Sequence, residues 1–257
     1  MKISYYGGIR MDSRNRVLLA ALLGVGILVG CGKQQTSTAP AQTAPKGTAT
    51  ITGKVIYEGK PISTATIKMN AECQALHPNA PAKDESFVLN PNGTLRYAFV
   101  YVKEGVQGNY PPPSEPAEVD QHNCMYTPHV IGVQAGQPVD FKNSDDLLHN
   151  VHAVTKNNEA FNFAQVTKGA VDRKVFKNPE IMVQMKCDVH PWMSSYIGVV
   201  AHPFFAVTGE DGSFQIRNLP AGTYVLEVWH EKLGTQTQQV TIAEGETKEV
   251  NFVFKQP

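Results

Sequence analysis

Short alternations of apolar and polar residues, separated by turn residues, run through the chain from residue 48 onward. Ala49–Tyr57 begins with this alternation, the turn Glu58–Pro61 follows it, and Ala65–Met69 is predicted as a second strand. Leu95–Lys103 predicts a further strand. Because the body shows no helical periodicity, the pattern predicts an all-β protein, and short strands at this spacing are typical of a sandwich or barrel.

Further strands are predicted after the Pro-rich loop Gly108–Pro116. His129–Val133 and Val139–Asn143, joined through Ala135–Gln137, predict a hairpin. The remaining predicted strands are Asn150–Val154, Val171–Phe176, Ile181–Met185, Tyr196–Ala201, Val225–His230, Gln238–Ile242 and Lys248–Phe254.

The N-terminus has a different pattern. Arg14 and Arg16 precede an apolar stretch from Val17 to Val29, which is too short to span a membrane comfortably and is typical of a signal sequence. Its end, Leu28-Val29-Gly30-Cys31, resembles the lipobox of bacterial lipoproteins. The resemblance implies cleavage of residues 1–30, lipidation of Cys31 and anchoring on the periplasmic side of a bacterial membrane. An ordinary signal peptide with an incidental cysteine is the alternative.

Gly32, which follows the lipidated cysteine, favours sorting to the outer membrane over retention in the inner one. Residues 31–47 are predicted as the lipid anchor and a flexible tether, because Gly32–Lys46 is rich in Gln, Thr, Ala and Pro and has no large apolar residue to bury. The 257-residue chain carries 23 basic and 23 acidic residues without a Lys/Arg-rich stripe, so nothing in it predicts a nucleic-acid partner.

Cys187–Met193 is the stretch with the most specific candidate chemistry. It places a thiolate, an imidazole and a thioether, from Cys187, His190 and Met193, within one short segment. Thiolate and thioether are soft ligands, and with imidazole they suit copper that cycles between Cu(I) and Cu(II). Such a site needs a second histidine, which the upstream stretch His149-Asn150-Val151-His152 can supply.

Residues 118–202 resemble a cupredoxin. Besides the histidine and cysteine stretches, the resemblance rests on Tyr126–Pro128, Val133–Gly136 and Val139–Asn143, and the Cys-x2-His-Pro-x-Met loop is most similar to that of amicyanin. It implies a Greek-key β-sandwich with one type 1 copper ion, for which His149, Cys187 and His190 are the three main ligands and Met193 is the weak axial ligand.

We also expect specific roles for residues around these ligands. In cupredoxins the residue after the first histidine often ties the ligand loops together by hydrogen bonds, a role that falls to Asn150 unless it is an ordinary turn residue. We expect His190 to expose an imidazole edge as the electron port, rimmed by Pro191 and Trp192; Trp192 is equally compatible with a core position. His152 is expected on the opposite face of the strand from His149. Extra residues at 70–117 precede the cupredoxin pattern, in a position to cap or crowd the site.

The chain has four cysteines. With Cys31 assigned to lipid and Cys187 to metal, Cys73 and Cys124 remain. An oxidising compartment favours a disulfide between them. Two free buried thiols are the alternative.

The C-terminal segment 204–257 resembles the carboxypeptidase regulatory-like domain, a small transthyretin-like β-sandwich, through Asp211–Phe214 and Leu219–Tyr224. That family usually begins with a segment like Ile51–Ala65, which lies upstream of the copper region here. Residues 48–69 therefore either complete this sandwich, with the copper domain 70–203 inserted, or belong to the copper domain itself. If the copper domain is inserted, Val55 should pair with strands of the 214–254 region; if it is not, this pairing should be absent.

Three classes of function remain open. The leading hypothesis is a lipid-anchored carrier of single electrons whose partner is a redox protein such as a cytochrome c or a periplasmic dehydrogenase. The second is copper storage or delivery, and the third is a surface-display sandwich with incidental metal. We expect no enzyme activity, because the sequence shows no acid–base pair, no catalytic triad and no open metal position.

Overall fold

A computed structural model of the protein describes residues 46–255. The predicted signal segment, the Cys31 lipidation site and most of the predicted tether lie outside these residues. The single described helix, α1, spans Ala71–Ala75. The strands are β1 Ala49–Glu58, β2 Val88–Leu89, β3 Leu95–Arg96, β4 Phe99–Glu104, β5 Ala117–His122, β6 Met125–Thr127, β7 Val130–Gln134, β8 Pro138–Asn143, β9 His149–Val154, β10 Phe161–Gln165, β11 Val171–Val175, β12 Glu180–Lys186, β13 Ser194–Val200, β14 Phe205–Val207, β15 Ser213–Leu219, β16 Gly222–His230, β17 Gly234–Ile242, β18 Thr247–Glu249 and β19 Phe252–Lys255.

The prediction of an all-β protein is confirmed. Three strand predictions are corrected. The predicted strand Lys248–Phe254 is divided into β18 and β19, with Val250 and Asn251 between them. Ala65–Met69 is not a strand, and within it Thr66 makes an isolated bridge to Lys83. Leu95–Lys103 is divided into β3 and β4, because Tyr97 has a positive φ of 64° and interrupts the extended chain. In the part of the chain that the structure describes, no helix is both long and apolar enough to cross a membrane.

Strands β5–β13 form the first sandwich. One sheet has the order β10-β9-β12-β13-β7 and the other β11-β8-β5-β6, and each contains one parallel pair, β13 with β7 and β5 with β8. Apolar side chains from both sheets meet in a common core. Every second residue of β8 is buried, which matches a strand with one face on this core.

The predicted hairpin of His129–Val133 and Val139–Asn143 is wrong. β7 pairs with β13, whereas β8 pairs with β5 and β11, so the chain crosses from one sheet to the other between them. Val133 and Val139 are both fully buried and enter the shared core from opposite sheets. Because a crossover between the sheets also buries both side chains in that core, the alternation of apolar and polar residues alone cannot distinguish a crossover from a hairpin.

Strands β1, β4 and β14–β19 form the second sandwich. Its sheets are β15-β1-β18, with β19 also paired to β1, and β14-β4-β16-β17. In the first of these sheets Val55 pairs with Phe252 and Gly53 pairs with Phe214. This is the pairing that the discontinuous arrangement requires, so the N-terminal strand and the C-terminal segment share one sheet.

Strand β4 lies within the 70–203 segment that was predicted as the copper domain, yet it pairs with β14 and β16 in the second sandwich. Both of its faces are buried. Val100 and Val102 enter the core of the second sandwich, whereas Phe99 and Tyr101 pack toward β7 and β13 of the first. A strand between two cores has no polar face, which explains its nearly continuous apolar sequence.

Candidate metal centre

The residues of the predicted site meet at one end of the first sandwich. His149 is the first residue of β9, and Cys187–Met193 forms the loop between β12 and β13. This loop folds back on itself: the Cys187 N–H donates to the Met193 carbonyl at 3.3 Å, and the Met193 N–H donates to the His190 carbonyl at 2.9 Å. Two strand ends and one tight loop therefore hold all four predicted ligand residues.

Three of the four predicted ligands converge on a point. Nδ1 of His149 lies 2.9 Å from Nδ1 of His190, and the Cys187 sulfur lies 3.9 Å from the same His190 nitrogen. The possible ligand atoms of these residues all fall within 4.8 Å of one another. All three residues are buried, as is Met193 in the adjoining core. The cluster is consistent with a type 1 copper site.

Asp145 fixes the orientation of the His149 ring. Its carboxylate lies 2.9 Å from Nε2 of His149, which leaves Nδ1 of that ring directed toward Cys187 and His190. The same carboxylate accepts the backbone N–H groups of Asn123 and Cys124, each at 2.7 Å. A carboxylate behind a ligating histidine holds the ring and its tautomer, which is a common arrangement at metal centres.

This arrangement changes the proton affinity of both partners. Burial by itself raises the pKa of Asp145, but the hydrogen bonds from His149 and from the two backbone N–H groups outweigh it and lower the pKa. Burial by itself lowers the pKa of His149, and the hydrogen bonds to Asp145 and Cys187 outweigh it, raising the pKa to about 9. Asp145 was not singled out from the sequence, where a carboxyl group four positions before a histidine across a turn is not distinctive.

The Cys187 sulfur is surrounded by hydrogen-bond donors. Burial raises the pKa of its thiol, but hydrogen bonds from His149 and from the backbone N–H groups of Asn150, His190 and Val189 outweigh burial and lower the pKa. The His190 N–H lies 3.4 Å from the sulfur. These donors favour the thiolate, which is the form that binds metal.

Asn150 joins the two segments that carry the ligands. Its side-chain oxygen accepts the backbone N–H of Asp188, and its amide group donates to Asn162 at 2.6 Å and to the Asp188 carboxylate at 3.3 Å. Its carbonyl accepts the Tyr126 hydroxyl at 2.7 Å, and that hydroxyl also reaches the Lys186 carbonyl at 3.1 Å. The start of β9 is thus tied to the end of β12, as the sequence interpretation of Asn150 expected.

The expectation that His190 exposes an imidazole edge is corrected, because this residue is only 4% exposed. Two features beside its ring account for the burial. The Trp192 ring centroid lies 5.2 Å away, and the sulfurs of Cys73 and Cys124 lie within 4.8 Å of a His190 nitrogen. Helix α1, which carries Cys73, belongs to the extra residues that the sequence placed in a position to cap the site.

The predicted rim residues differ in exposure. Pro191 is exposed, whereas Trp192 is partly buried against the core and donates its indole N–H to the Cys124 carbonyl at 3.0 Å. Trp192 therefore covers His190 and also contacts the core. Two further apolar residues, Leu148 and Val189, precede ligands in the sequence and are each 44% exposed.

The predicted disulfide between Cys73 and Cys124 is confirmed. Cys187 is the free cysteine among the described residues and is buried. The disulfide joins α1 to the turn between β5 and β6, so it ties the extra segment to the end of the first sandwich that carries the candidate ligands.

Other histidines have structural partners away from the ligand atoms. His152 contacts the Asp188 carboxylate at 3.1 Å, and His129 contacts Glu231 of the second sandwich at 2.8 Å. His202 lies 2.8 Å from the Val102 carbonyl. The ring of His230 packs against Phe87.

Comparison with protein families found a match for the C-terminal segment. Residues 199–255 match the Carboxypeptidase regulatory-like domain, which confirms the resemblance predicted from the sequence. In the structure, β1 and β4 complete the two sheets to which this segment contributes. No curated protein sequence matches the chain at a significant level.

Solved structures with partial likeness to the chain include copper proteins. A copper-containing nitrite reductase from Thermus scotoductus is 23% identical, with a TM-score of 0.31, and the likeness covers 38% of this chain and 25% of the reductase. A purple cupredoxin from Nitrosopumilus maritimus is 21% identical, with a TM-score of 0.28 and coverage of 32% and 98%, respectively. An oxidised amicyanin mutant is 18% identical, with a TM-score of 0.31 and coverage of 39% and 97%.

The described chain thus contains two β-sandwiches, and the first carries a buried His–Cys–His–Met set at one end. The second sandwich contains the segment that matches the Carboxypeptidase regulatory-like domain, and its sheets are completed by β1 and β4, which both precede the first sandwich in the chain.

Proposed function

We propose that this chain is a type 1 copper protein that carries single electrons. The observation that supports this most directly is the convergence of His149, Cys187 and His190 within 4.8 Å in a buried site. A thiolate, two imidazoles and a thioether form the donor set of blue-copper sites. Copper bound there would supply one-electron redox chemistry.

The residues that hold the site are well suited to this role. Asp145 fixes His149, the loop hydrogen bonds fix His190 and Met193, and Asn150 joins the two ligand-bearing segments. A site preorganised by strands and hydrogen bonds changes little in geometry when its charge changes, which favours fast electron exchange. His149, Cys187 and His190 are proposed as the three main ligands and Met193 as the axial ligand.

We further propose that the protein is lipid-anchored through Cys31 on the periplasmic side of a bacterial membrane, with the outer membrane favoured. The basis is the lipobox-like sequence before Cys31. The partner would be a redox protein such as a cytochrome c or a periplasmic dehydrogenase. Exposed apolar residues beside the ligands, Leu148, Val189 and Pro191, would form the docking surface for such a partner.

The test is an optical spectrum of protein loaded with Cu(II). The proposal expects an intense thiolate-to-copper charge-transfer band, lost in Cys187→Ser and altered in Met193→Leu. Met182→Leu is the matched control, because Met182 lies on β12 near the second sandwich and should leave the band unchanged. A stable Cu(II) complex without the band would contradict the proposal.

Copper storage or delivery is the second candidate function, and the burial of His190 favours it. A carrier exchanges electrons most easily through an exposed ligand edge, whereas this edge is covered by Trp192 and the Cys73–Cys124 disulfide. A colourless protein that binds Cu(I) and does not form a stable Cu(II) complex would support storage or delivery and contradict electron transfer.

A further inference from the structure

Cys73, Cys124 and His190 form a second cluster beside the proposed copper site. The two sulfurs and a His190 nitrogen lie within 4.8 Å of one another, and all three residues are buried. The His149, Cys187 and His190 cluster contains the same His190. The two clusters therefore share one imidazole.

The backbone at Cys124 is held in an uncommon conformation. Asn123 and Cys124 have φ values of 54° and 53°, and they form the two-residue turn between β5 and β6. Such turns favour Asn and Gly, so a cysteine in this region is unusual. Asp145 binds both backbone N–H groups of the turn and also His149, so one carboxylate positions Cys124 and a proposed ligand.

The oxidation state of the sulfurs decides what this second cluster can bind. Joined as a disulfide, the two sulfurs offer no thiolate. As two thiols they offer a pair of soft ligands next to an imidazole, and thiolates select Cu(I). We propose that the dithiol form of Cys73 and Cys124 binds Cu(I) together with His190, as a loading site from which the ion passes to His149 and Cys187. This inference rests on the proposed function.

The shared histidine supplies a route between the two sites. An ion held by Cys73, Cys124 and His190 can exchange the first two ligands for Cys187 and His149 while His190 stays close to it. Release into solvent is then unnecessary. The transfer moves Cu(I) without changing its charge.

In this proposal Cu(I) enters the loading site from the side of the short helix α1. Its backbone hydrogen bonds are local, from Gln74 to Asn70 and from Leu76 to Cys73, and its N-cap is the Asn70 side chain. The segment contacts the first sandwich through the disulfide, through the partly buried Met69 and Leu76, and through His77, whose Nε2 lies 2.8 Å from the Asn123 carbonyl. A short element with local hydrogen bonds can open at lower free energy than the sheets around it.

Closing the site requires an oxidant. The thiols of Cys73 and Cys124 become a disulfide by losing two protons and two electrons to the disulfide of a thiol–disulfide oxidoreductase, which is reduced to its dithiol. The copper takes no part in this exchange. The resulting disulfide removes the two thiolates from the loading site and fixes α1 beside His190.

The test measures Cu(I) affinity by anaerobic competition with a chromophoric chelator. Every protein carries Cys31→Ser, and Cys187→Ser disables the main site. The inference expects the reduced Cys187→Ser protein to bind one Cu(I) at least about 100-fold more tightly than its disulfide form. Adding Cys73→Ser and Cys124→Ser should lower the Cu(I) affinity of the reduced protein to that of the disulfide form. Equal affinities in the reduced and disulfide forms would overturn the inference.

A second measurement covers the case in which Cys187→Ser does not fold. The Cys31→Ser protein, with its main site intact, is loaded with Cu(I) as dithiol or as disulfide and then oxidised to develop the charge-transfer band. Loading should be at least about tenfold faster for the dithiol, and equal rates would overturn the inference. If reduced Cys187→Ser binds Cu(I) but Cu(II)-loaded wild type shows no band, the proposed electron carrier fails while the loading site stands.

Discussion

The carboxylate of Asp145 lies 2.9 Å from Nε2 of His149, and the same carboxylate accepts two backbone N–H groups from the turn that carries Cys124. Asp145 therefore positions a proposed copper ligand and anchors a neighbouring loop. We expect Asp145→Asn to weaken copper binding by about 10- to 100-fold, the usual effect of losing a carboxylate behind a ligating histidine. Copper affinity, measured by competition with a chelator, checks this.

Asp146→Asn is the matched control, because Asp146 is the adjacent carboxylate and is exposed. Its substitution should leave copper affinity unchanged. Equal losses in the two variants would show that net charge, rather than the contact with His149, determines affinity.

The ligand loop and its second histidine stretch were visible in the sequence because Cys-x2-His-x2-Met is local and chemically specific. The disulfide followed from counting cysteines. The burial of His190 was only partly predictable: the sequence placed the extra residues 70–117 in a position to cap the site, but it did not indicate α1, a helix of five residues without a periodic pattern. Asp145 was missed for a related reason: its contact with His149 depends on the path of a turn.

The pairing of the strands was likewise not predictable from local sequence patterns. The alternation of apolar and polar residues identified β7 and β8, but the same alternation is expected whether two strands form a hairpin or face one another from two sheets. Strand β4 does not alternate. Its nearly continuous apolar sequence reflects burial of both of its faces between two sandwiches. Which strands pair is decided by contacts far apart in the chain, such as Val55 with Phe252.

Asn150 is expected to slow the loss of copper by holding the two ligand-bearing segments together. Asn150→Ala removes the acceptor of the Asp188 N–H and the donor to Asn162. Each lost hydrogen bond costs about 0.5–1.5 kcal/mol net, so copper should dissociate faster and the free energy of unfolding should fall by roughly one to two times that amount. Stopped-flow copper removal and denaturant unfolding measure the two effects.

Asn162→Ala provides the comparison. It removes one partner of the Asn150 amide and leaves the hydrogen bond between Asp188 and Asn150 in place. Its effect on copper dissociation should be clearly smaller than that of Asn150→Ala. A larger effect would assign the positioning role to Asn162.

Trp192 is expected to limit electron exchange with small reagents, because its ring packs 5.2 Å from that of His190. Trp192→Leu removes the indole and its hydrogen bond to the Cys124 carbonyl. Reduction of the Cu(II) protein by a small soluble reductant, followed by stopped-flow absorbance, should become faster while the charge-transfer band persists. Trp229→Leu, a substitution in the second sandwich, should leave the rate unchanged; a wild-type rate in Trp192→Leu would contradict this view of Trp192.

Two paired glycines make room for the contact between the sandwiches. Gly132 lies opposite Gly198, and a Cβ on Gly132 would come within 2.4 Å of the Phe205 ring. Gly132→Ala should therefore lower the free energy of unfolding by about 1–3 kcal/mol, the usual cost of overpacking, without changing the charge-transfer band. Thermal unfolding measures this, and Gly209→Ala, where a Cβ meets nothing within 4 Å, should be nearly neutral. Equal stability of the two variants would contradict the tight contact.

His230 is expected to make the protein sensitive to acid. It is 2% exposed, and burial lowers its pKa to about 4. An unfolded chain binds a proton at this histidine near pH 6.5, so the unfolded state binds more protons between about pH 6.5 and 4. Stability should therefore fall as pH decreases through that window, by on the order of 3 kcal/mol from this residue.

Denaturant unfolding at pH 7 and at pH 4 tests this dependence. His230→Gln should be less stable than wild type at pH 7, because the ring packs against Phe87 and Phe254, but should lose less stability on acidification. Part of the dependence should remain, since burial also lowers the pKa of His202. The exposed His122 is the control, and His122→Gln should keep the wild-type dependence. An unchanged pH dependence in His230→Gln would show that this buried histidine does not drive acid unfolding.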